Sequence, residues 1–136
     1  MLTLPAADLR LYVASIFRAA NAPEFVAQRL ADSLVESNLV GHDSHGVLRV
    51  PEYIERIQAG TLKLNGKIEI VRETAGTALI DCGWNLGQVA VPQGVELAMR
   101  KARSNGIGMV VLGHCDHNGR VGEYVVTAAQ EGMIGQ

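Results

Sequence analysis

Apolar and polar positions alternate with a helical period over the first sixty residues. Leu9, Tyr12, Val13, Ile16 and Phe17 recur at the three- and four-residue spacing of one helix face, which predicts a first helix. Thr3 is read as its N-cap, with Pro5 tolerated in the first turn. Asn21-Ala22-Pro23 stops that helix and starts a second, whose stripe is Val26, Leu30 and Leu34 with Phe25 at its start. Charge lies on the opposite faces: Asp8, Arg10 and Arg18, then Glu24, Arg29, Asp32 and Glu36. A polar stretch, Gly41-His42-Asp43-Ser44-His45-Gly46, precedes a third helix that starts near Pro51, carries Tyr53, Ile54 and Ile57, and is capped by Gly60.

From residue 61 the period changes. Ile68-Glu69-Ile70-Val71 and Thr77-Ala78-Leu79-Ile80-Asp81 are short β-rich runs joined by Thr74-Ala75-Gly76, the pattern of a hairpin. Asn85 is read as the cap of a long helix ending at Gly106, which either kinks at Pro92 or begins its regular part there. Ile107-Gly108-Met109-Val110-Val111-Leu112 reads as a buried strand. The polar loop Gly113-His114-Cys115-Asp116-His117-Asn118-Gly119 follows it, and then a helix from Arg120 to Glu131. Gly132-Met133-Ile134-Gly135-Gln136 opens like a further strand. The expectation is an α/β fold: a helical N-terminal segment over residues 1–60, then residues 61–136 as the first part of an α/β domain with a mixed sheet and flanking helices.

Composition narrows the function classes. Apolar residues are 48% of the 136 and aromatics only 4%, so the core must be aliphatic. Twelve Lys plus Arg against fourteen Asp plus Glu give a formal charge of −2, with no clustered basic run, which argues against nucleic acid. Charged or amide residues interrupt every apolar stretch before the roughly 18–20 residues of a membrane span. The N-terminus lacks the basic and apolar regions of a signal peptide. Cys82 and Cys115 make no disulfide framework and read as buried thiols in a reducing cytoplasm.

The two polar segments hold the candidate chemistry. In His42-Asp43-Ser44-His45 a catalytic triad is disfavoured, because adjacent side chains point apart and triads assemble from distant segments. A metal site would rest on two histidines alone. The bland alternative is that Asp43 or Ser44 caps the next helix while the histidines are solvated. A substrate pocket is the remaining reading. A histidine exchanges protons near neutral pH, and Arg49 offers a planar fork for a carboxylate, unless it is spent on a surface ion pair with Glu52. In the second segment, His117 stands after a strand, where open α/β sheets gather ligands, and could serve as a general acid or base. Gly119 lets backbone approach a ligand, and the helix start beyond it favours a negative group. His114-Cys115-Asp116-His117 could instead be a metal cluster, though four adjacent donors do not easily face one ion. His117 could equally be a satisfied loop histidine.

Several motifs in one order carry more information than spacing. They are Leu39-Val40-Gly41-His42-Asp43-Ser44-His45-Gly46 with Arg49 and Tyr53, then Gly87-Gln88-Val89-Ala90, then Asn105-Gly106-Ile107-Gly108, then His117-Asn118-Gly119-Arg120-Val121-Gly122-Glu123-Tyr124. Together they resemble the type-2 malate/L-lactate dehydrogenase family, which includes hydroxycarboxylate, ureidoglycolate and sulfolactate dehydrogenases. The last string is most similar to the hydroxycarboxylate branch. The resemblance covers essentially the whole chain but only the N-terminal portion of the family, whose members are more than twice as long. It implies a non-Rossmann dehydrogenase fold, here truncated, in keeping with the absence of a Gly-x-Gly-x-x-Gly turn. It implies hydride transfer between a 2-hydroxy or 2-oxo acid and NAD or NADP, in a cytoplasmic homodimer, with no metal.

By the same resemblance His117 is the proton-transfer residue, with His45 and Ser44 second, beside the substrate. Arg49 holds the substrate carboxylate, Tyr53 lines the pocket, and Gly119 and Arg120 lie towards the cofactor. Asn118 and Pro92 depart from the family pattern, the first bearing on pocket shape and the second on the long helix. Most cofactor contacts would lie beyond Gln136, so the chain alone is expected to turn over poorly or not at all. The competing classes are a truncated α/β module that binds a small carboxylate or a partner chain, and a metal-dependent hydrolase.

Overall fold

The computed structural model describes residues 3–136. The chain divides into two compact units, with the division between Asn65 and Gly66.

The first unit is helical. α1 spans Ala6–Ala19, α2 Glu24–Leu39 and α3 Val50–Gln58, and two short 3-10 turns, Asp43–His45 and Val47–Arg49, lead into α3. Val13, Ala14 and Phe17 of α1 are buried, as are Val26, Ala27, Leu30, Ala31, Leu34 and Val35 of α2. Each large aliphatic or aromatic side chain taken from water here contributes about 1.5–3 kcal/mol. Tyr53 of α3 is wholly buried, its ring centroid 6.5 Å from that of Phe17.

Local expectations fail at three points in this unit. Thr3 makes no cap: Pro5 occupies the N-cap of α1 with no side-chain bond, its carbonyl accepting from the Leu9 N–H at 3.0 Å. Tyr12 and Phe25 are 64% exposed. Each precedes a buried valine by one residue, which turns it about 100° off the buried stripe. The seam is completed instead by Ala14, Ala27 and Ala31.

The second unit is a three-stranded mixed sheet in the order β1-β2-β3, with β1 Glu69–Glu73, β2 Thr77–Asp81 and β3 Met109–Gly113. β1 and β2 form the expected antiparallel hairpin, with a register shift between Ile70 and Arg72. β2 and β3 are parallel, joined through α4, Gly87–Asn105. Ala78, Ile80 and Cys82 pack against Ala90 and Leu97 of α4, with Val110, Leu112 and Cys115 partly buried around them. Lys101 is buried and donates to Glu73 at 2.8 Å and to the Thr74 carbonyl at 2.6 Å, fastening the hairpin turn to the helix. α5, Gly122–Gln130, completes the unit.

Three further expectations change. α4 runs through Pro92 rather than starting there, and ends at Gly106 in the left-handed conformation. The 107–112 run is only half buried: Met109 and Val111 are 57% and 47% exposed on the face away from α4, a face that Leu79 of the central strand shares and that no described element covers. Residues 132–136 form no strand. No described helix is long and apolar enough to cross a membrane.

Candidate functional site

In the first unit the polar segment between α2 and α3 is held by Asn38. Its amide donates to Asp43 Oδ1 at 2.6 Å, and its Oδ1 accepts the Val47 N–H at 2.9 Å. Asp43 is thus spent on Asn38, and neither it nor Ser44 caps α3, which has no side-chain cap. The signal was present in sequence, an asparagine in the last turn before the polar stretch, but local spacing does not single it out. Ser44 Oγ lies 2.9 Å from His45 Nδ1, so the hydroxyl and the imidazole form one hydrogen-bonded pair. Arg49 donates from Nε to the Ser44 carbonyl and from Nη1 to Glu52, each at 2.7 Å. The ion pair with Glu52 is therefore formed. These two bonds use two of the five guanidinium N–H donors, and they fix the plane of the fork. Ser44, His45 and Arg49 are brought together here; Tyr53 is in the helical core.

In the second unit the loop after β3 lies along the turn before α4. Backbone bonds continue the strand pairing: Cys82 N–H to the Gly113 carbonyl at 2.9 Å, Trp84 to His114 at 2.7 Å, Asp116 to Asn85 at 2.9 Å and Gly87 to His117 at 3.0 Å. The last of these satisfies one of the donors that a helix start leaves open. Asn85 is not the cap of α4. Its amide donates to the carbonyls of Gly66 and Cys82, both at 2.7 Å, and Leu86 holds the cap position without a side-chain bond. Asp116 Oδ1 accepts the His117 N–H at 2.6 Å. The Gly119 N–H points at His117 Nδ1 at 3.3 Å, which places the hydrogen of the neutral ring on Nε2. Gly119 has φ +68°, and a Cβ there would come within 2.8 Å of the Gln88 amide. Tyr124 of α5 donates its hydroxyl to the Asn118 carbonyl at 2.5 Å, fixing the far end of the loop. Arg120 Nε is buried with no hydrogen-bond acceptor.

Burial pushes the Cys82 thiol up to about 12, with Cys115 beside it adding to the effect, and burial likewise raises Cys115. Both thiols stay protonated, which suits neither nucleophilic attack nor metal ligation. Among the described residues no group of three or more His, Cys, Asp or Glu side chains is placed to hold a metal ion.

Sequence reading missed the partner of His114. Its Nδ1 lies 2.8 Å from Oδ2 of Asp81, the last residue of β2, and its ring sits 5.1 Å from that of Trp84. Asp81 Oδ1 also accepts the Gly83 N–H at 2.8 Å. That backbone bond, then His114, holds the Asp81 carboxyl below its ordinary value of 3.8. A carboxyl depressed in the folded state stabilises the fold fully above its unfolded value and loses that contribution as pH falls through the lower folded value. Acid unfolding of the wild type below about pH 4 should therefore be steeper than that of Asp81→Asn. Equal acid limbs in circular dichroism titrations would contradict this.

The sequence profile of the family described as Malate/L-lactate dehydrogenase matches residues 4–136. The chain belongs to that family. It is 39% identical to a malate dehydrogenase of Pyrococcus horikoshii over 97% of its own length and 37% of the relative's. It is 33% identical to hydroxycarboxylate dehydrogenase B of Escherichia coli (strain K12), over 95% of the chain and 36% of that protein. Among solved structures, malate dehydrogenase from Pyrococcus horikoshii OT3 superposes with a TM-score of 0.92 at 37% identity, over 96% of this chain and 38% of that one. Sulfolactate dehydrogenase from Methanocaldococcus jannaschii gives 0.91 at 32% identity, over 96% and 38%. The chain thus spans a little over a third of the length of these malate/L-lactate dehydrogenase relatives, and its fold is the corresponding part of theirs.

Proposed function

We propose that the protein acts in an NAD- or NADP-dependent oxidoreductase that moves a hydride between a 2-hydroxy acid of the malate or lactate kind and the nicotinamide. The observation that carries this reading is the family match over residues 4–136, a span that contains Arg49 and His117. Arg49 has the right chemistry for an acid: its fork is fixed by Ser44 and Glu52 while donors remain for a carboxylate. His117 handles the reacting oxygen and its proton, and His45, paired with Ser44, is the second candidate for that work. Tyr53, expected to line the pocket, is wholly buried with its ring near Phe17 and presents no surface to a substrate within its unit.

The residues present fit a nicotinamide cofactor at the start of α5. The buried Arg120 Nε lacks an acceptor, and an anionic or carbonyl-bearing group would supply one. Gly119 and Arg120 would hold it there, and when bound it supplies the hydride acceptor. A cytoplasmic homodimer, the assembly implied by the family resemblance, belongs to the same proposal.

The test is Arg49→Ala and Arg49→Lys in the enzyme expressed from its complete reading frame, assayed with malate, lactate and sulfolactate. Losing charge-assisted bonds to the carboxylate should raise KM about tenfold to a hundredfold. Lysine, which keeps the charge but not the fork, should recover only part. An unchanged KM for every hydroxy acid would reject the carboxylate site.

A further inference from the structure

The loop after β3 holds two histidines three residues apart, and the structure fixes them in opposite tautomers. His117 has Nδ1 facing the Gly119 N–H, so its neutral ring is a donor at Nε2. His114 has Nδ1 facing the Asp81 carboxylate at 2.8 Å, so its neutral ring carries the hydrogen on Nδ1 and presents Nε2 as an acceptor. Asp81 is placed for this by the parallel register that pairs it with Gly113, at the carboxyl ends of β2 and β3. The arrangement is held under strain. His114 and Trp84 are both non-glycine residues with positive φ, +47° and +63°, and Gly83 beside them has +57°. The two non-glycine residues cost energy that the surrounding bonds must offset, and Gly83 makes the turn at no such cost. The bonds are present: Trp84 N–H to the His114 carbonyl, and Gly83 N–H to Asp81. The result is an imidazole 59% exposed in its side chain, backed by a carboxylate and by an indole face.

We propose that the Asp81–His114 pair is the proton acceptor of this loop, and that His117 is the donor that holds the reacting oxygen. The proposal rests on the dehydrogenase reading and divides between two residues the work that reading gives to His117. As a 2-hydroxy acid loses hydride from carbon to the nicotinamide, its O–H bond breaks and a C=O bond forms. The hydroxyl proton goes to His114 Nε2, while His117 Nε2–H donates to the oxygen. The ring so protonated keeps Asp81 against Nδ1 and the Trp84 ring beside it. Its exposure lets it pass the proton to water. Asp81 is a positioning residue, acting only through His114.

Two measurements test this in the protein expressed from its complete reading frame. Long-range 1H–15N correlation spectra of histidine-labelled protein read each tautomer directly, with assignment by single substitution. The expected result is His114 as the Nδ1–H form and His117 as the Nε2–H form, with Asp81→Asn disturbing His114 alone. His114 found with its hydrogen on Nε2 overturns the proposal. The second is His114→Gly, which suits the left-handed φ and leaves a space the size of the ring. Turnover should fall about 100-fold or more, with KM little changed, and added imidazole should restore part of it. Full turnover in His114→Gly overturns the role of His114 while leaving the dehydrogenase reading intact. A wild type with no hydroxy-acid-dependent nicotinamide reduction overturns that reading, and the role of His114 with it.

Discussion

Replacing His117 by Ala should lower turnover of a 2-hydroxy acid by about 100- to 10,000-fold, the range for losing a group that acts on the reacting oxygen or its proton. The loss should fall on kcat more than on KM, because a bond to the oxygen strengthens as charge develops there and contributes less in the ground state. The fold should survive. His117 is held by Asp116 Oδ1 and the Gly87 N–H through its backbone, and those bonds persist in the variant. Equal thermal midpoints for His117→Ala and wild type would document this.

His117→Gln then separates donor from base. Glutamine keeps an N–H donor but cannot take up a proton at neutral pH. With the ring tautomer fixed by Gly119, glutamine should recover part of the lost kcat. A His117→Gln enzyme as slow as His117→Ala would make His117 the base itself. Wild-type kcat in His117→Ala would remove the residue from the chemistry altogether.

The elements were legible because each announces itself locally. Helical period marks α1 and α2, Pro51 and Gly60 bracket α3, and the two β-rich runs around Thr74-Ala75-Gly76 form the hairpin they predict. The candidate chemistry was legible as residue types but not as partnerships. Asp81 and His114 are 33 residues apart and meet only because β2 and β3 pair in parallel, a register that no local pattern states. Asn38 and Asn85 show the same limit. Both are polar side chains at helix ends, where the capping rule applies, yet one braces the next segment and the other serves carbonyls before its helix. Burial was misjudged where it depends on what covers a face. Met109 and Val111 have the composition of a buried strand, but they lie on the face away from α4, which is left open along β2 as well.

Gly108→Ala should be among the most damaging single methyls in the second unit, costing about 3 kcal/mol or more. The reason is space rather than φ. A Cβ on Gly108 would lie 2.0 Å from the Ala98 carbonyl oxygen and 2.9 Å from the Ala102 nitrogen, both in the backbone of α4. No rotamer relieves a backbone clash, so α4 must lift from the start of β3. That shift would loosen the contacts of Ala90 and Leu97 with Ile80, and with them the strand ends that carry Asp81 and His114. Gly106→Ala is the matched control. Nothing lies within 4 Å of its added Cβ, and only the left-handed φ of +80° opposes it, a cost of roughly 1–2 kcal/mol. Urea unfolding midpoints should rank wild type above Gly106→Ala and Gly106→Ala well above Gly108→Ala. The reverse order would mean that α4 does not approach β3 as closely as these distances require.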